Sequence, residues 1–173
     1  MQERRAPMAG ERIFDAAVIG AGPAGMMCAL AAAQRGLSVA VADAHSAPGA
    51  KLSLAGGGMG NFTNRILDER FYVGSAAAFA GGLCRDFGCE RVLELLARLG
   101  LPFEERDLGR IFGLRPAHVF ASRLAALCRD AGVRFFLGGA AAGFRRGTAG
   151  DGGLATFSFR LGGRSLHARQ LVL

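Results

Sequence analysis

The sequence predicts an α/β fold built on a dinucleotide-binding βαβ unit, with an inserted helical region and a β-meander. Three observations carry that prediction. A short apolar run, Ala16 to Ile19, feeds directly into Gly20-Ala21-Gly22-Pro23-Ala24-Gly25. An Ala-rich apolar segment, Met26 to Ala33, follows at once. A second strand-like run, Ser38 to Ala42, then ends at Asp43, 18 residues after Gly25. Strand, glycine turn, helix, strand and acid come in the order and at the spacing of a G-x-G-x-x-G phosphate site with its ribose-binding carboxylate.

Each glycine of the turn has a distinct task. Gly20 permits the tight turn, Gly22 lets a pyrophosphate approach the backbone, and Gly25 lets helix and strand pack closely. The N–H groups at the helix start then face the phosphates, aided by the helix dipole. The other reading is a glycine turn in some other α/β unit, with Asp43 as a solvated strand end.

The first helix should run from about Pro23 to Arg35. Pro23 suits the first helical turn, where a missing N–H costs nothing, and Gly36 stands where a helix ends. An irregular region from Ala44 to Asn64 follows. Within it, Gly49 to Asn64 (GAKLSLAGGGMGNFTN) is too glycine-rich for a helix and too polar at its end for a core strand. Its three consecutive glycines expose backbone N–H groups suited to lining a ligand, and Asn61, Thr63 and Asn64 offer amide and hydroxyl contacts. A surface loop accounts for the same composition.

Two helices should follow, at about Ala76–Asp86 and Glu90–Leu99. In the second, Val92, Leu93, Leu95, Leu96 and Leu99 form a wide apolar face. Leu101–Gly113 reads as a hairpin with its turn near Asp107–Gly109. Pro116 opens a helix to about Ala131, and Val133–Leu137 is a strand. Gly138 to Gly143 imitates a second glycine turn, but Phe144-Arg145-Arg146-Gly147 offers no helix behind it. Three strand-like runs remain, at Ala140–Arg145, Leu154–Arg160 and Ser165–Leu173, with turns at Gly147–Gly153 and Gly162-Gly163. They form the meander, over about residues 140–173, and its last strand should enter the main sheet.

Composition sets bounds. With 173 residues, 51% of them hydrophobic, the chain can build a core and is not disordered by composition. It carries 21 basic and 14 acidic residues, and Lys51 is the only lysine. The arginines are spread rather than clustered, which favours a solvated basic surface over a nucleic-acid groove. No apolar stretch reaches the roughly 18 residues of a membrane span, and Arg4-Arg5 is not followed by the apolar region of an export signal. The four cysteines, Cys28, Cys84, Cys89 and Cys128, have no metal-ligand spacing. Cys28 and Cys128 sit in apolar helical patterns and read as core residues. Reduced thiols fit a cytoplasmic protein. Residues 1–12 read as a disordered tail, in which Met8 is an alternative start, and residues 13–173 as one Rossmann-type domain.

GAGPAG followed by GAKLSLAGGGMGNFTN resembles the bacterial aminoacetone-oxidase-like, or BaiN-like, FAD-dependent oxidoreductases. The spacing of Gly56-Gly57-Gly58 to Asn61-x-Thr63-Asn64 matches theirs, and so do Gly109, Arg110 and Phe112. The resemblance implies an FAD-binding Rossmann-type fold and a flavin-dependent oxidoreductase. The FAD pyrophosphate would lie on Gly20, Ala21, Gly22, Pro23, Ala24 and Gly25, and the adenosine ribose on Asp43 with Ala44. Lys51, Gly56, Gly57, Gly58, Asn61, Thr63 and Asn64 would lie along the flavin half. The chain departs from the family at Ala50, where a basic residue is usual, and at Ala55, where Ser or Thr is common. Gly60 stands where Cys is frequent, and Gly113 where Pro is usual. Asp43 replaces the Glu more typical of FAD sites, which leaves NAD a little more room as an alternative.

The expected function is therefore FAD binding within a flavin-dependent oxidoreductase acting on a small molecule, with NAD(P)H as a possible electron donor. The alternatives are an NAD(P)-dependent dehydrogenase module and an inactive truncated nucleotide-binding fragment. His45, His118, His167 and Tyr72 are the obvious acid–base candidates, and none stands out as a catalyst. Arg110 would meet a substrate or flavin phosphate, or else be solvated or pair with Glu104 or Glu105. No metal, nucleic-acid or membrane partner is expected, and the oligomeric state is left open. The last strand-like run stops at Leu173 before the turn such flavoproteins place against the cofactor. On this reading the chain is the N-terminal portion of a longer enzyme, holds the ADP half of FAD weakly and does not turn over alone.

Overall fold

The computed structural model describes residues 12–52, 57–147 and 156–173. Arg4-Arg5, Met8 and the rest of residues 1–11 lie outside the described residues, as do Ala55, Gly56 and residues 148–155. The chain divides into two compact units, one of residues 1–50 and 124–173, the other of residues 51–123.

The first unit is organised by β1 (Ile13–Ile19), α1 (Pro23–Ala33) and β2 (Val39–Asp43). It continues from the later part of α4 (Ala117–Asp130) into β6 (Arg134–Leu137), β7 (Ala141–Arg146), β8 (Phe157–Leu161) and β9 (Arg164–Val172). These six strands form one sheet in the order β6-β2-β1-β9-β8-β7. Strands β6, β2, β1 and β9 run parallel, and β8 and β7 continue antiparallel as the meander. The last strand thus joins the parallel part of the sheet to the meander, pairing Ile13 with His167 and Val18 with Val172 on one side and Phe157 with Ala168 on the other. The rejected second glycine turn does lead into a strand, β7, and not a helix.

The core follows from alternation. Ala40 and Ala42 of β2 join Phe14, Ala17, Phe159, Leu161, Leu166 and Ala168 in one buried cluster, with Phe136 packed against it. The Phe14 and Phe136 rings meet edge to face at 5.9 Å. Val39 and Val41, the alternate residues of β2, are equally buried, as a parallel strand covered on both faces requires. Helix α1 buries Met26, Ala29 and Leu30. The Cys128 thiol donates to the Met26 carbonyl at 3.4 Å, and burial pushes that thiol up to about 11.

Helix α1 opens at Pro23 and stops at Ala33, two residues short of Arg35. Gly36 has φ +83, and the N–H groups of Gly36 and Leu37 reach back to the Ala33 and Ala32 carbonyls at 2.9 and 3.3 Å. This left-handed cap satisfies the helix's last acceptors. Cys28 corrects its expected place: it is exposed. Helix α1 is apolar on nearly every side, so periodicity could not tell which face meets the sheet, and Cys28 falls opposite Met26, Ala29 and Leu30.

The second unit holds β3 (Asn61–Asn64), α2 (Ala77–Asp86), α3 (Cys89–Arg98), β4 (Phe103–Arg106) and β5 (Arg110–Gly113). The expected hairpin is there as β4 and β5, joined by a short 3-10 turn at Asp107–Gly109. The expectation that Ala44–Asn64 is irregular throughout is corrected at its end. Asn61–Asn64 forms β3, antiparallel to β5, in a three-stranded sheet ordered β3-β5-β4. Its polar sequence is tolerated because the strand is at an edge and only half-buried. Helix α3 buries Cys89, Leu93 and Leu96, and Arg123 caps its end through the Gly100 carbonyl at 2.8 Å. Among the described residues, no helix is long and apolar enough to cross a membrane.

Candidate functional site

The site begins with the glycine turn between β1 and α1. The Gly20 N–H donates to the Ala42 carbonyl at 2.7 Å, which ties the end of β1 to the end of β2. Two of the turn's glycines differ sharply in what surrounds them. A Cβ on Gly25 would lie 2.0 Å from the Gly20 carbonyl oxygen and 3.3 Å from Val18 Cγ1, so helix and strand meet there with no room for a methyl group. A Cβ on Gly22 would meet no described atom within 4 Å, and the residue's φ of −73 suits any amino acid. Among the described residues nothing requires glycine at position 22, and the space over it is open.

The first helical bond is donated by the Met26 N–H to the Gly22 carbonyl at 2.9 Å. The N–H groups of Ala24 and Gly25 therefore precede the ladder, at the positive end of the helix dipole. Pro23 brings no N–H. Ala21 has another part. It is fully buried, its N–H donates to Asp43 Oδ2 at 2.6 Å, and its carbonyl accepts from the Gly49 N–H at 2.8 Å. It locks the turn to the end of β2 and to the loop after it.

Asp43 ends β2, as the sequence indicates. Its Oδ2 holds the Ala21 N–H, and its Oδ1 accepts from the His45 N–H at 2.8 Å and faces His45 Nδ1 at 2.9 Å. Burial would push the carboxyl upward, but the backbone N–H groups of His45 and Ala21, joined by the His45 ring, outweigh it. The carboxyl is held below the usual range and stays ionised at neutral pH. Ala44 follows, and the loop after β6 closes over this corner. The Gly138 N–H donates to the His45 carbonyl at 2.9 Å, and the Gly139 N–H to the Asp43 carbonyl at 3.4 Å.

Gly20, Ala21, Gly22, Pro23, Ala24, Gly25, Asp43 and Ala44 all lie in the first unit, and Lys51, Gly57, Gly58, Asn61, Thr63 and Asn64 in the second. Gly56 is outside the described residues. Gly57, Gly58 and Gly60 have φ of +67, +89 and +76, a run of left-handed backbone that side chains resist. At Gly60 a Cβ would also stand 3.0 Å from the Phe62 ring, which suits this chain's glycine and not a thiol. The Asn64 side chain is engaged at both ends. Its Nδ2 donates to the Leu108 carbonyl and its Oδ1 accepts from the Ile66 N–H, each at 2.9 Å. It supports the hairpin turn, where Leu108 takes φ +61.

Arg110 pairs with neither glutamate. Its Nε donates to the Asp107 carbonyl at 3.0 Å. Glu104 is taken by Arg106 at 2.6 Å, and Glu105 by Arg65 at 3.0 Å. Arg65 follows β3 directly, so a residue distant in sequence takes Glu105 in place of the near neighbour. Of the acid–base candidates, His118 is exposed on α4, His167 is buried in β9, and the Tyr72 hydroxyl lies 3.4 Å from Cys84 Sγ. Only His45 touches the site. Its tie to Asp43 begins as an Asx-turn, in which the carboxylate accepts the backbone N–H two residues on; Asp43 at a strand end is the readable signal for that turn, and the ring contact adds to it.

A family model described as the HI0933-like protein Rossmann domain matches residues 14–173. The chain belongs to the HI0933-like family. These are FAD-dependent oxidoreductases of the BaiN-like kind. The HI0933-like chain is 33% identical over 124 residues to the ribosomal RNA dihydrouridine synthase of Escherichia coli (strain K12), a stretch covering 72% of the chain and 31% of that protein. It is 34% identical over 86 residues to the 3-dehydro-bile acid delta(4,6)-reductase of Clostridium scindens (strain ATCC 35704 / DSM 5676 / VPI 13733 / 19), covering 49% of the chain and 21% of that protein. The matches thus span less than a third of these relatives' length.

Among solved structures, the 3-ketosteroid-delta4-(5alpha)-dehydrogenase from Rhodococcus jostii RHA1 aligns over 100% of the chain and 48% of its own, with a TM-score of 0.63 and 18% identity. Thermovibrio ammonificans THI4 aligns over 91% of the chain and 55% of its own, with a TM-score of 0.61 and 14% identity. At such identities the likeness is one of fold.

Proposed function

We propose that this HI0933-like chain holds the adenosine-diphosphate half of FAD, with the pyrophosphate over Gly22 at the start of α1 and the ribose at Asp43. The observation that supports this best is the contrast within the turn. Gly25 is glycine because the fold leaves no room, whereas Gly22 is glycine where the fold leaves space. A ligand that must approach the backbone accounts for the second case. The N–H groups of Ala24 and Gly25 would face phosphate oxygens, and the ionised Asp43 would accept from a ribose hydroxyl while repelling a 2′-phosphate. Lys51 and the loop through Gly56, Gly57, Gly58, Asn61, Thr63 and Asn64 are proposed for the flavin half. There the glycine-rich backbone supplies N–H groups, and Lys51 a cation.

The bound flavin would supply two-electron redox chemistry. The names of the two curated relatives share a chemical theme, since a dihydrouridine carries two more hydrogens across a ring double bond and a delta-reductase saturates one. We extend that theme to this chain as reduction of a carbon–carbon double bond, a hydride and a proton being added and NAD(P)H serving as electron donor. The substrate is a small molecule on the charge-distribution argument. A second reading, a uridine in ribosomal RNA, is favoured by the 33% identity to the Escherichia coli enzyme. The test is the absorption spectrum of the purified protein after reconstitution with FAD. A flavin band retained through gel filtration supports the proposal, and loss of all flavin with retention of NAD(H) supports the dehydrogenase alternative.

A further inference from the structure

We propose that His45 is a positioning residue for ribose recognition: by clamping one oxygen of the Asp43 carboxylate, it leaves the other to read a single ribose hydroxyl. The inference rests on the reading of Asp43 as the ribose ligand and goes beyond it.

A carboxylate offers about four acceptor directions, two on each oxygen. In Asp43, Oδ1 receives the His45 backbone N–H at 2.8 Å and the imidazole Nδ1 at 2.9 Å. Oδ2 receives the Ala21 N–H at 2.6 Å. Among the described residues three directions are therefore filled, and the remaining one is on Oδ2. The ionised carboxylate can only accept, so Nδ1 is the protonated nitrogen of the ring. With Oδ1 filled, the carboxylate cannot embrace both hydroxyls of a vicinal diol, one on each oxygen. Without the ring, Oδ1 regains a free direction, and the carboxylate can turn about its last bond.

The surroundings make the imidazole separable from the fold. The His45 backbone is held independently, because its carbonyl accepts from the Gly138 N–H at 2.9 Å. The ring itself is 53% exposed, whereas the Asp43 side chain is 16% exposed. Removing the ring thus costs little packing and acts mainly on the carboxylate it holds.

The experiment is a calorimetric titration of the full chain with ADP, 2′-deoxy-ADP and 3′-deoxy-ADP, for the wild type, His45→Ala, His45→Asn and Gly22→Val. Wild type should lose affinity for only one of the two deoxy analogues. His45→Ala should weaken ADP binding about five- to tenfold, the worth of one lost hydrogen bond, and should respond to both deoxy analogues. His45→Asn, whose amide can donate to Oδ1, should restore most of the affinity and the single-hydroxyl pattern. The melting temperature of His45→Ala should stay within about 2 °C of that of wild type, the small loss expected at an exposed ring. If His45→Ala binds all three nucleotides as wild type does, while Gly22→Val loses ADP, the clamp is refuted and the phosphate site stands. If Gly22→Val binds ADP as wild type does, or wild type binds none, the underlying reading fails and the clamp falls with it.

Discussion

Replacing Gly25 with alanine should destabilise the protein far more than replacing Gly22, although the two lie three residues apart in one turn. A methyl carbon on Gly25 would stand 2.0 Å from the Gly20 carbonyl oxygen and 3.1 Å from its carbon. Backbone cannot rotate aside as a side chain can, so β1 and the start of α1 must separate by about an ångström. Overpacking of this kind costs about 1–3 kcal/mol, and a backbone collision belongs at the upper end. For a chain of this size each kcal/mol lowers the melting temperature by roughly 2–4 °C, so Gly25→Ala should melt about 6–12 °C below wild type. Gly22→Ala places its methyl in open space at an ordinary φ, and should melt within about 2 °C of wild type. Differential scanning calorimetry of the three proteins reads both values. Equal melting temperatures for Gly25→Ala and wild type would refute the close-packing argument.

Stability should also report on two acids of the parallel strands, Asp43 at the end of β2 and Asp15 in β1. The Asp43 carboxyl is held low by the His45 and Ala21 donors against the opposing effect of burial, and Asp15 by its hydrogen bonds to Ser38. A carboxyl lowered on folding contributes stability above its unfolded value, lost as pH falls through the folded one. Melting temperature should therefore decline below about pH 4, and Asp43→Asn should flatten that decline; an unchanged slope would count against the Asp43 network. Leu96 is fully buried in α3, so Leu96→Ala should cost about 2–5 kcal/mol in a denaturant titration, and a loss under 1 kcal/mol would contradict its core position. Cys28 is exposed, whereas the Cys128 thiol is pushed up to about 11, so iodoacetamide at neutral pH should label Cys28 and spare Cys128.

The sequence carried the parts of the fold whose signals are local. The strand–turn–helix at Ala16 to Ala33, the acid at the end of β2 and the hairpin follow from glycine spacing and apolar period, whereas the return of β9 to the sheet rests on the likeness to flavoproteins of this type. Two features escaped because they depend on partners distant in the chain. Asn61–Asn64 becomes a strand only because β5 offers an edge, and its polar sequence gives no alternation to read. Cys28 was assigned to the core because α1 is apolar on every side, and only the sheet decides which face is covered. The site behaves likewise. The glycines and Asp43 were legible from spacing, but the bond from Ala21 to Asp43 depends on β1 and β2 lying side by side.

The central claim is that a dinucleotide's pyrophosphate occupies the space over Gly22. The most direct test is titration of FAD into wild type and Gly22→Val, read by quenching of flavin fluorescence in proteins shown by calorimetry to be equally folded. Saturable binding to wild type and none to Gly22→Val at the same concentrations is the predicted result. Equal affinity of the two proteins for FAD, or no saturable binding to wild type, would contradict it.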